Sequence, residues 1–582
     1  MSKNKKNDHM EEIVELIDME DVADTDSASK VDETPDMDNK EASDKISDKK
    51  KFNIWKLLFI VNMIFTVACL GVSTLLMGKL AFMKLLPKRY FALAVVLLLI
   101  IPVCSILLRK KKWATIIFII LNIAITLVVY KGYTMVDKAD ETIDKITEGG
   151  DVEVTVMEIR VLSSNSATED SVLKEYTIGI MKEMDRKYAD EVIKDLEESL
   201  GHKLSIKEYE DDITLLIKAL YDKEIDAIIV NATYGEMLVE IEEYATFTTD
   251  TKVLKEVEIE EIIKNRDDAM SEAATENSTE EETTGSSGNS GNGGGGYNYD
   301  WYLGHYGDDG GGFVYVEPTN PQEMSKDAFV VYISGIDTYG NVNRRCRSDV
   351  NILMAVNTKT KHVLMVNTPR DYYVPLSVSN GVRDKLTHAG NFGVNVSKDT
   401  LGMLYGVEAE YYVRMNFTGF IDIINAMGGV DVQSDYAFTS VSGYSFVKGM
   451  NYGIDGFKAL AFARERKNLA AGDNQRGKHQ MALISAMINK LASGNTLTNY
   501  NAIMNAIAGS FQTNFTSDEI YSLIHMQLDD MSAWTVESYS VTGKGKHDKT
   551  YSMPSVNAYV MEPNMDTVYK AREMIKKVLT EE

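Results

Sequence analysis

Hydrophobic positions recur in three different ways along this chain. Near its start, residues 57–77, 90–108 and 113–130 are almost continuously apolar, each run close to the ~20 residues that cross a bilayer as a helix. Past them the pattern loosens. Residues 152–162 alternate as a strand does, and 187–200 and 211–221 have helical spacing, the latter with Ile213, Leu216, Ile217 and Leu220 on one face. Asp226-Ala-Ile-Ile-Val230 reads as a short buried strand. Beyond residue 326, apolar strands over 329–334, 350–356, 362–367 and 411–415 interleave with helical stretches over 420–427, 456–466 and 478–491. That interleaving predicts a layered α/β domain with a largely buried central sheet.

The expected fold class is therefore α/β, with a multi-span membrane anchor ahead of two α/β units. Residues 1–53 form an acidic tail whose composition cannot bury a core. Three membrane helices occupy 54–131, and a small accessory α/β domain occupies 150–264. A flexible tether, acidic and Thr-rich and then rich in Gly, Ser and Asn, covers 265–325. The second α/β domain, with a C-terminal extension, takes 326–582. About fifty polar residues ahead of the first apolar run argue against a cleaved signal peptide. Lys49-Lys50-Lys51 and the Arg109–Lys112 run outweigh the Lys79, Lys84, Lys88 and Arg89 loop, which puts everything after Tyr130 outside. No catalytic constellation stands out in 150–264. Its acidic residues read as solvated helix faces, and the unit as a spacer or partner-binding module.

Charge sharpens the picture. Across 582 residues the net charge is −26, which argues against nucleic acid as a partner, because such binding rests on neutralising phosphates. Cys69 and Cys104 fall in apolar runs, so Cys346 has no partner for a disulfide. It lies between Arg345 and Arg347, cations that can lower a thiol's pKa, but a catalytic thiol has no clear partner here and the placement reads as incidental. Against this acidic background the last domain holds Arg370-Asp371 directly after a strand, then Arg464-x-Arg466 and Asp473-x-x-Arg476. Guanidinium groups are costly to gather unless an anion neutralises them, and their shape suits phosphate oxygens. The cluster reads as a polyphosphate site. Asp337 and Arg370 both follow strands, where ligands gather in open α/β sheets.

Seven short motifs then appear in order. They are Gly335-x-Asp337, Arg347-Ser348-Asp349, Pro369-Arg370-Asp371, Asp384-Lys385-Leu386-x-His388-Ala389, Gly428-Gly429-Val430-Asp431, Arg464-x-Arg466 and Asp473-x-x-Arg476-x-x-x-Gln480. Over residues 327–491 the chain resembles the LytR–CpsA–Psr family of cell-envelope glycopolymer transferases. The resemblance implies transfer of a glycopolymer from a polyprenyl-pyrophosphate carrier to peptidoglycan, with phosphodiester formation outside the cytoplasmic membrane. It implies Mg²⁺ held by Asp337 and Asp349. It implies pyrophosphate contacts from Arg347, Arg370, Lys385, Arg464, Arg466 and Gln480, with Asp473 and Arg476 in support. Arg347, Arg370 and Asp371 are the expected catalytic side chains, with Asp371 or Asp349 as base. Helices over 420–427 and 481–491 are candidates to line a groove for the lipid tail, or simply core. Arg464 and Arg466, two apart on a predicted helix, point to different faces, and one is free to pair with Glu465. His388 and His479 lack a compact metal-ligand cluster. Thr368, Tyr372, the segment 389–393 and His479 depart from the family pattern. A polyprenyl-pyrophosphate phosphatase and a non-catalytic lipid-binding regulator are the alternatives.

Overall fold

The computed structural model describes residues 54–108, 110–148, 152–263, 327–469, 472–492, 499–530 and 532–581. The acidic tail and the Gly-rich tether expected from the sequence lie outside them. Three helices are long and apolar enough to cross a membrane: α1 (Ile54–Phe82), α2 (Lys88–Leu107) and α3 (Lys112–Glu148). Residues 54–60 form the opening turns of α1. Asn62, Thr66, Ser105 and Asn122 are buried between helices, with Asn62 Nδ2 donating to Ser105 Oγ at 2.8 Å and Asn122 Nδ2 to Thr66 Oγ1 at 3.0 Å. Polar pairs of this kind join helices in an apolar surrounding.

The third helix is longer than its apolar run, which ends at Tyr130. It continues to Glu148 because Ile143, with Met83 and Tyr521, closes a small apolar cluster. Ser517 Oγ donates to Asp144 at 3.0 Å, and the Tyr521 hydroxyl donates to Asp140.

Strands β1 (Val152–Leu162), β2 (Thr177–Met181), β3 (Ser205–Tyr209), β4 (Ala227–Asn231) and β5 (Thr251–Ile262) form one sheet in the order β3-β2-β4-β1-β5. Helices α4 (Arg186–Leu200) and α5 (Ile213–Tyr221) pack on it. Asp212 caps α5, its side chain accepting from the Thr214 N–H. A short helix α6 (Thr233–Leu238) follows β4.

The second sheet contains β6 (Ala328–Ile336), β7 (Ser348–Asn357) and β8 (His362–Asn367). Outside it lies a two-stranded ribbon of β9 (Tyr373–Pro375) and β10 (Arg383–Lys385). With β11 (Tyr411–Met415) the six-stranded order is Phe511–Thr513, β11, β6, β7, β8, Thr535–Ser540. Strand β7 runs antiparallel to both of its neighbours, β6 and β8, whereas β11 runs parallel to β6 and the strand Thr535–Ser540 runs parallel to β8, so the sheet is mixed. Alternation along β7 splits the core into two layers. Leu353 and Ala355 face the helices Val394–Tyr405 and Met565–Thr580, while Ile352 and Val356 face the helix Gly472–Ala492. At Gly477 that helix comes so close to the end of β8 that a Cβ would meet Asn367 Nδ2 at 2.0 Å. Glycine there lets the helix pack close enough to bring Arg476 to the cavity wall.

The two sheets are joined through buried charge. Val154 accepts from the Arg345 N–H at 2.8 Å and donates to Asn343 O at 2.9 Å. Glu153, 3% exposed, accepts from Arg345 at 2.9 Å, Arg414 at 2.9 Å and the Val394 N–H at 2.8 Å. A buried carboxylate is tolerated only when paired this fully.

Candidate functional site

A cavity of about 490 Å³ opens between the sheet and the helices covering its second face. Ile333, Val350, Val413 and Met415 supply the sheet side. The opposite side comes from Phe417 and Phe420 on the helix Phe417–Ala426, Leu460 on Gly456–Arg464, and Leu483, Ile484, Met487 and Ile488 on Gly472–Ala492. Both stretches expected as groove or core thus contribute to the cavity wall. The first helix begins at Phe417 rather than 420, because Asn416 caps it by accepting from the Gly419 N–H.

Polar side chains gather at one end. Asp337, Arg347, Asp349, Arg370, Arg464, Arg466, Arg476 and Gln480 all line this cavity, although they come from positions 337 to 480. Arg370 Nη1 donates to Asp349 at 2.9 Å. Asp337 lies 3.3 Å from Arg347 and 3.4 Å from Arg464. Arg476 pairs with Asp473 at 2.5 Å. Gln480 donates to Ala463 O at 3.4 Å. Lys385 and Asp371 stand just behind the lining, with Asp371 3.8 Å from Arg370 and 3.9 Å from Lys385.

Lys385 is placed by its neighbour. Asp384 is fully buried, accepting from Ser552 and the Lys385 N–H and pairing with His388 Nδ1 at 2.7 Å. Burial alone would raise the Asp384 carboxyl; His388 and the hydrogen bonds bring it below its ordinary value.

The other carboxylates divide the same way. Burial works to raise Asp349, but Arg370, Arg476 and Arg347 hold it down. Burial raises Asp337, and the Asp349 charge adds to that. The two carboxylates therefore shift in opposite directions.

Sequence reasoning missed the most telling contact. Glu240, expected on a solvated face, has Oε1 accepting from Arg347 at 2.7 Å and Arg370 at 3.1 Å, while Oε2 accepts from Lys385 at 2.7 Å. Glu236 adds a contact to Arg347 at 3.1 Å. Three separated cations converge on one carboxylate, as a phosphate site requires. No local signal marks Glu240, since its partners lie more than a hundred residues away.

Other expectations also change. The helix Gly456–Arg464 stops before Arg466, so the two arginines do not share a helix. Arg464 pairs with Asp337, while Glu465 accepts from the Val441 and Asn468 N–H groups. Burial pushes the Cys346 thiol up to about 12, the reverse of activation. His479 points away from the phosphate end, stacking on Phe462 at 4.0 Å, and burial lowers it to about 4, which keeps it uncharged.

The fold and site together define an α/β protein in which a cluster of guanidinium and carboxylate groups lines a largely apolar cavity. Residues 314–571 match the LytR_cpsA_psr family, and the chain belongs to that family. The polyisoprenyl-teichoic acid–peptidoglycan teichoic acid transferase TagU of Halalkalibacterium halodurans is 32% identical over 222 residues, covering 38% of this chain and 71% of that protein. The enzyme of the same name from Bacillus mycoides is 38% identical over 178 residues, covering 30% and 58%. That from Bacillus subtilis is 35% identical over 199 residues, covering 34% and 63%. The chain therefore spans about three-fifths to seven-tenths of these relatives. The crystal structure of B. subtilis TagV superposes with a TM-score of 0.37 at 27% identity, covering 44% of this chain and 98% of that one.

Proposed function

We propose that this protein transfers a glycopolymer from a polyprenyl-pyrophosphate carrier to peptidoglycan, leaving a phosphodiester link, at the outer face of the cytoplasmic membrane. The convergence of Arg347, Arg370 and Lys385 on one anion beside an apolar cavity carries this reading. The TagU relatives, named for transfer between a polyisoprenyl carrier and peptidoglycan, agree with it.

In the proposed reaction an acceptor hydroxyl attacks the phosphorus next to the glycan. The bond from that phosphorus to the bridging oxygen breaks, and polyprenyl phosphate leaves with the electron pair. Negative charge grows on the non-bridging and leaving oxygens, and fixed guanidinium groups in a partly dry site stabilise it without reorganising. Arg347, Arg370 and Lys385 would hold the diphosphate, with Arg464, Arg466, Arg476 and Gln480 around it. Of the two carboxylates expected as base, Asp349 lines the cavity and Asp371 does not. Asp371 is better placed to orient Arg370 and Lys385.

Asp337 and Asp349 fit Mg²⁺, a hard cation that takes one or two carboxylates and keeps several waters. The raised Asp337 carboxyl beside Asp349 supports that fit. Among the described residues no group of three or more His, Cys, Asp or Glu forms a fuller cage. When bound, the ion would supply further positive charge to phosphoryl oxygens.

The three apolar helices support a membrane anchor, and the Lys49–Lys51 and Arg109–Lys112 clusters support a three-span topology with the cavity outside. The test uses the full chain in detergent with a lipid-linked glycan, peptidoglycan fragments and Mg²⁺. The expected products are phosphodiester-linked glycan and polyprenyl phosphate. Carrier phosphate released without sugar-linked phosphate on the acceptor would mean hydrolysis, and no turnover at all would mean a binding protein.

A further inference from the structure

The clamp already holds an anion, and that anion belongs to the other sheet's half of the chain. Both Glu240 oxygens are used, one shared by Arg347 and Arg370 and the other bound by Lys385. All three cations are buried, and a phosphate group would make the same contacts. The segment carrying Glu240 is firmly seated: Tyr234, Met237, Leu238, Tyr244 and Phe247 are buried, and Asn391 Nδ2 lies 3.0 Å from the Met237 sulfur. Glu240 itself is different. Its side chain is 29% exposed, so it can swing into solvent while its segment stays in place.

Resting on the reading of this site as a diphosphate clamp, we propose that Glu240 is a built-in competitor. It fills the clamp in the free protein and must leave before a diphosphate headgroup enters, so the accessory half sets the affinity of the site. A role as general base fits poorly. Burial works to raise the Glu240 carboxyl, yet Lys385 and Arg370 hold it well below the ordinary carboxylate range, where it retains little affinity for a proton.

Calorimetric binding of inorganic pyrophosphate and of farnesyl diphosphate to the full chain in detergent tests this. Wild type is compared with Glu240→Gln, Glu240→Ala and Arg370→Ala. Glu240→Gln keeps the side chain's shape, so the comparison survives even if the alanine variant folds poorly. Both Glu240 variants should bind each ligand about tenfold tighter or more, because apparent affinity falls with the fraction of open clamps. Arg370→Ala should lose binding. If folded Glu240→Gln binds no tighter than wild type while Arg370→Ala loses binding, the competitor role is overturned and the diphosphate site stands. If wild type and Arg370→Ala bind alike, the diphosphate reading fails and takes the competitor with it.

Discussion

Replacing Arg370 with alanine removes the guanidinium that reaches both Asp349 and Glu240 from a position only 6% exposed. In the proposed complex its two terminal nitrogens would face the diphosphate instead. Hydrogen bonds between charged partners contribute about 1.5–3 kcal/mol each. Losing two therefore costs about 3–6 kcal/mol, a fall in kcat/KM of about 10²–10⁴. The fold should survive, because Arg476 and Arg347 still neutralise Asp349. Transfer of a lipid-linked glycan to peptidoglycan fragments is the assay, with thermal unfolding as the control for folding. Arg370→Lys should recover only part of the loss, since an ammonium cannot reproduce the two-pronged contact. A folded Arg370→Ala enzyme within about threefold of wild type, far short of that fall, would refute the clamp.

Three further outcomes test other parts of the structure. Ile488 lines the cavity and is 37% exposed; Ile488→Asp should weaken farnesyl diphosphate binding about 10–100-fold, the equivalent of losing about 1.5–3 kcal/mol of apolar burial. Inorganic pyrophosphate binding should stay unchanged, and equal loss of both ligands would place the tail elsewhere. His479 has its folded value lowered from 6.5 to about 4, so its stabilising contribution is complete above 6.5 and is lost as pH falls toward 4. That loss reaches ~3 kcal/mol, and His479→Phe, which suits the stack on Phe438 and Phe462, should reduce the drop in thermal midpoint between pH 7 and 5; an undiminished drop would assign the acid sensitivity to other groups. Glu153→Ala strands the buried Arg414 guanidinium and should cost about 3–5 kcal/mol, seen as a clear fall in midpoint; no fall would mean the charged seam contributes little.

Strands and the three long apolar helices were legible because each is a local pattern. Residues 152–162, 362–367 and 411–415 fall on strands with those same bounds. The site was legible through residue order and type, and Asp337, Arg347, Asp349, Arg370, Arg464, Arg466, Arg476 and Gln480 do reach one cavity. What could not be read is long-range pairing. Glu153 and Glu240 look like any acidic residue in an acidic chain until folding brings Arg414 and Arg370 against them. The lower part of α3 was hidden for a related reason: its polar sequence is tied down by partners distant in the chain, Lys79, Ser517 and Tyr521. His479, read from the sequence as a departure from the family pattern, is placed by the fold in an aromatic stack with Phe438 and Phe462, a contact that its position beside a phosphate motif does not announce.

That lower part of α3 has a mechanical consequence. The helix is 37 residues long, ~55 Å at 1.5 Å per residue, and in the proposed topology a hydrocarbon layer would take up ~30 Å of it. The remaining ~25 Å acts as a stiff strut, braced by Ser517 and Tyr521 against the body that carries the cavity. In the proposed topology, a cavity held on such a strut would stay at one altitude above the lipid surface. Carriers would then reach it by drifting within the plane, and only wall strands passing through that narrow layer would come within range.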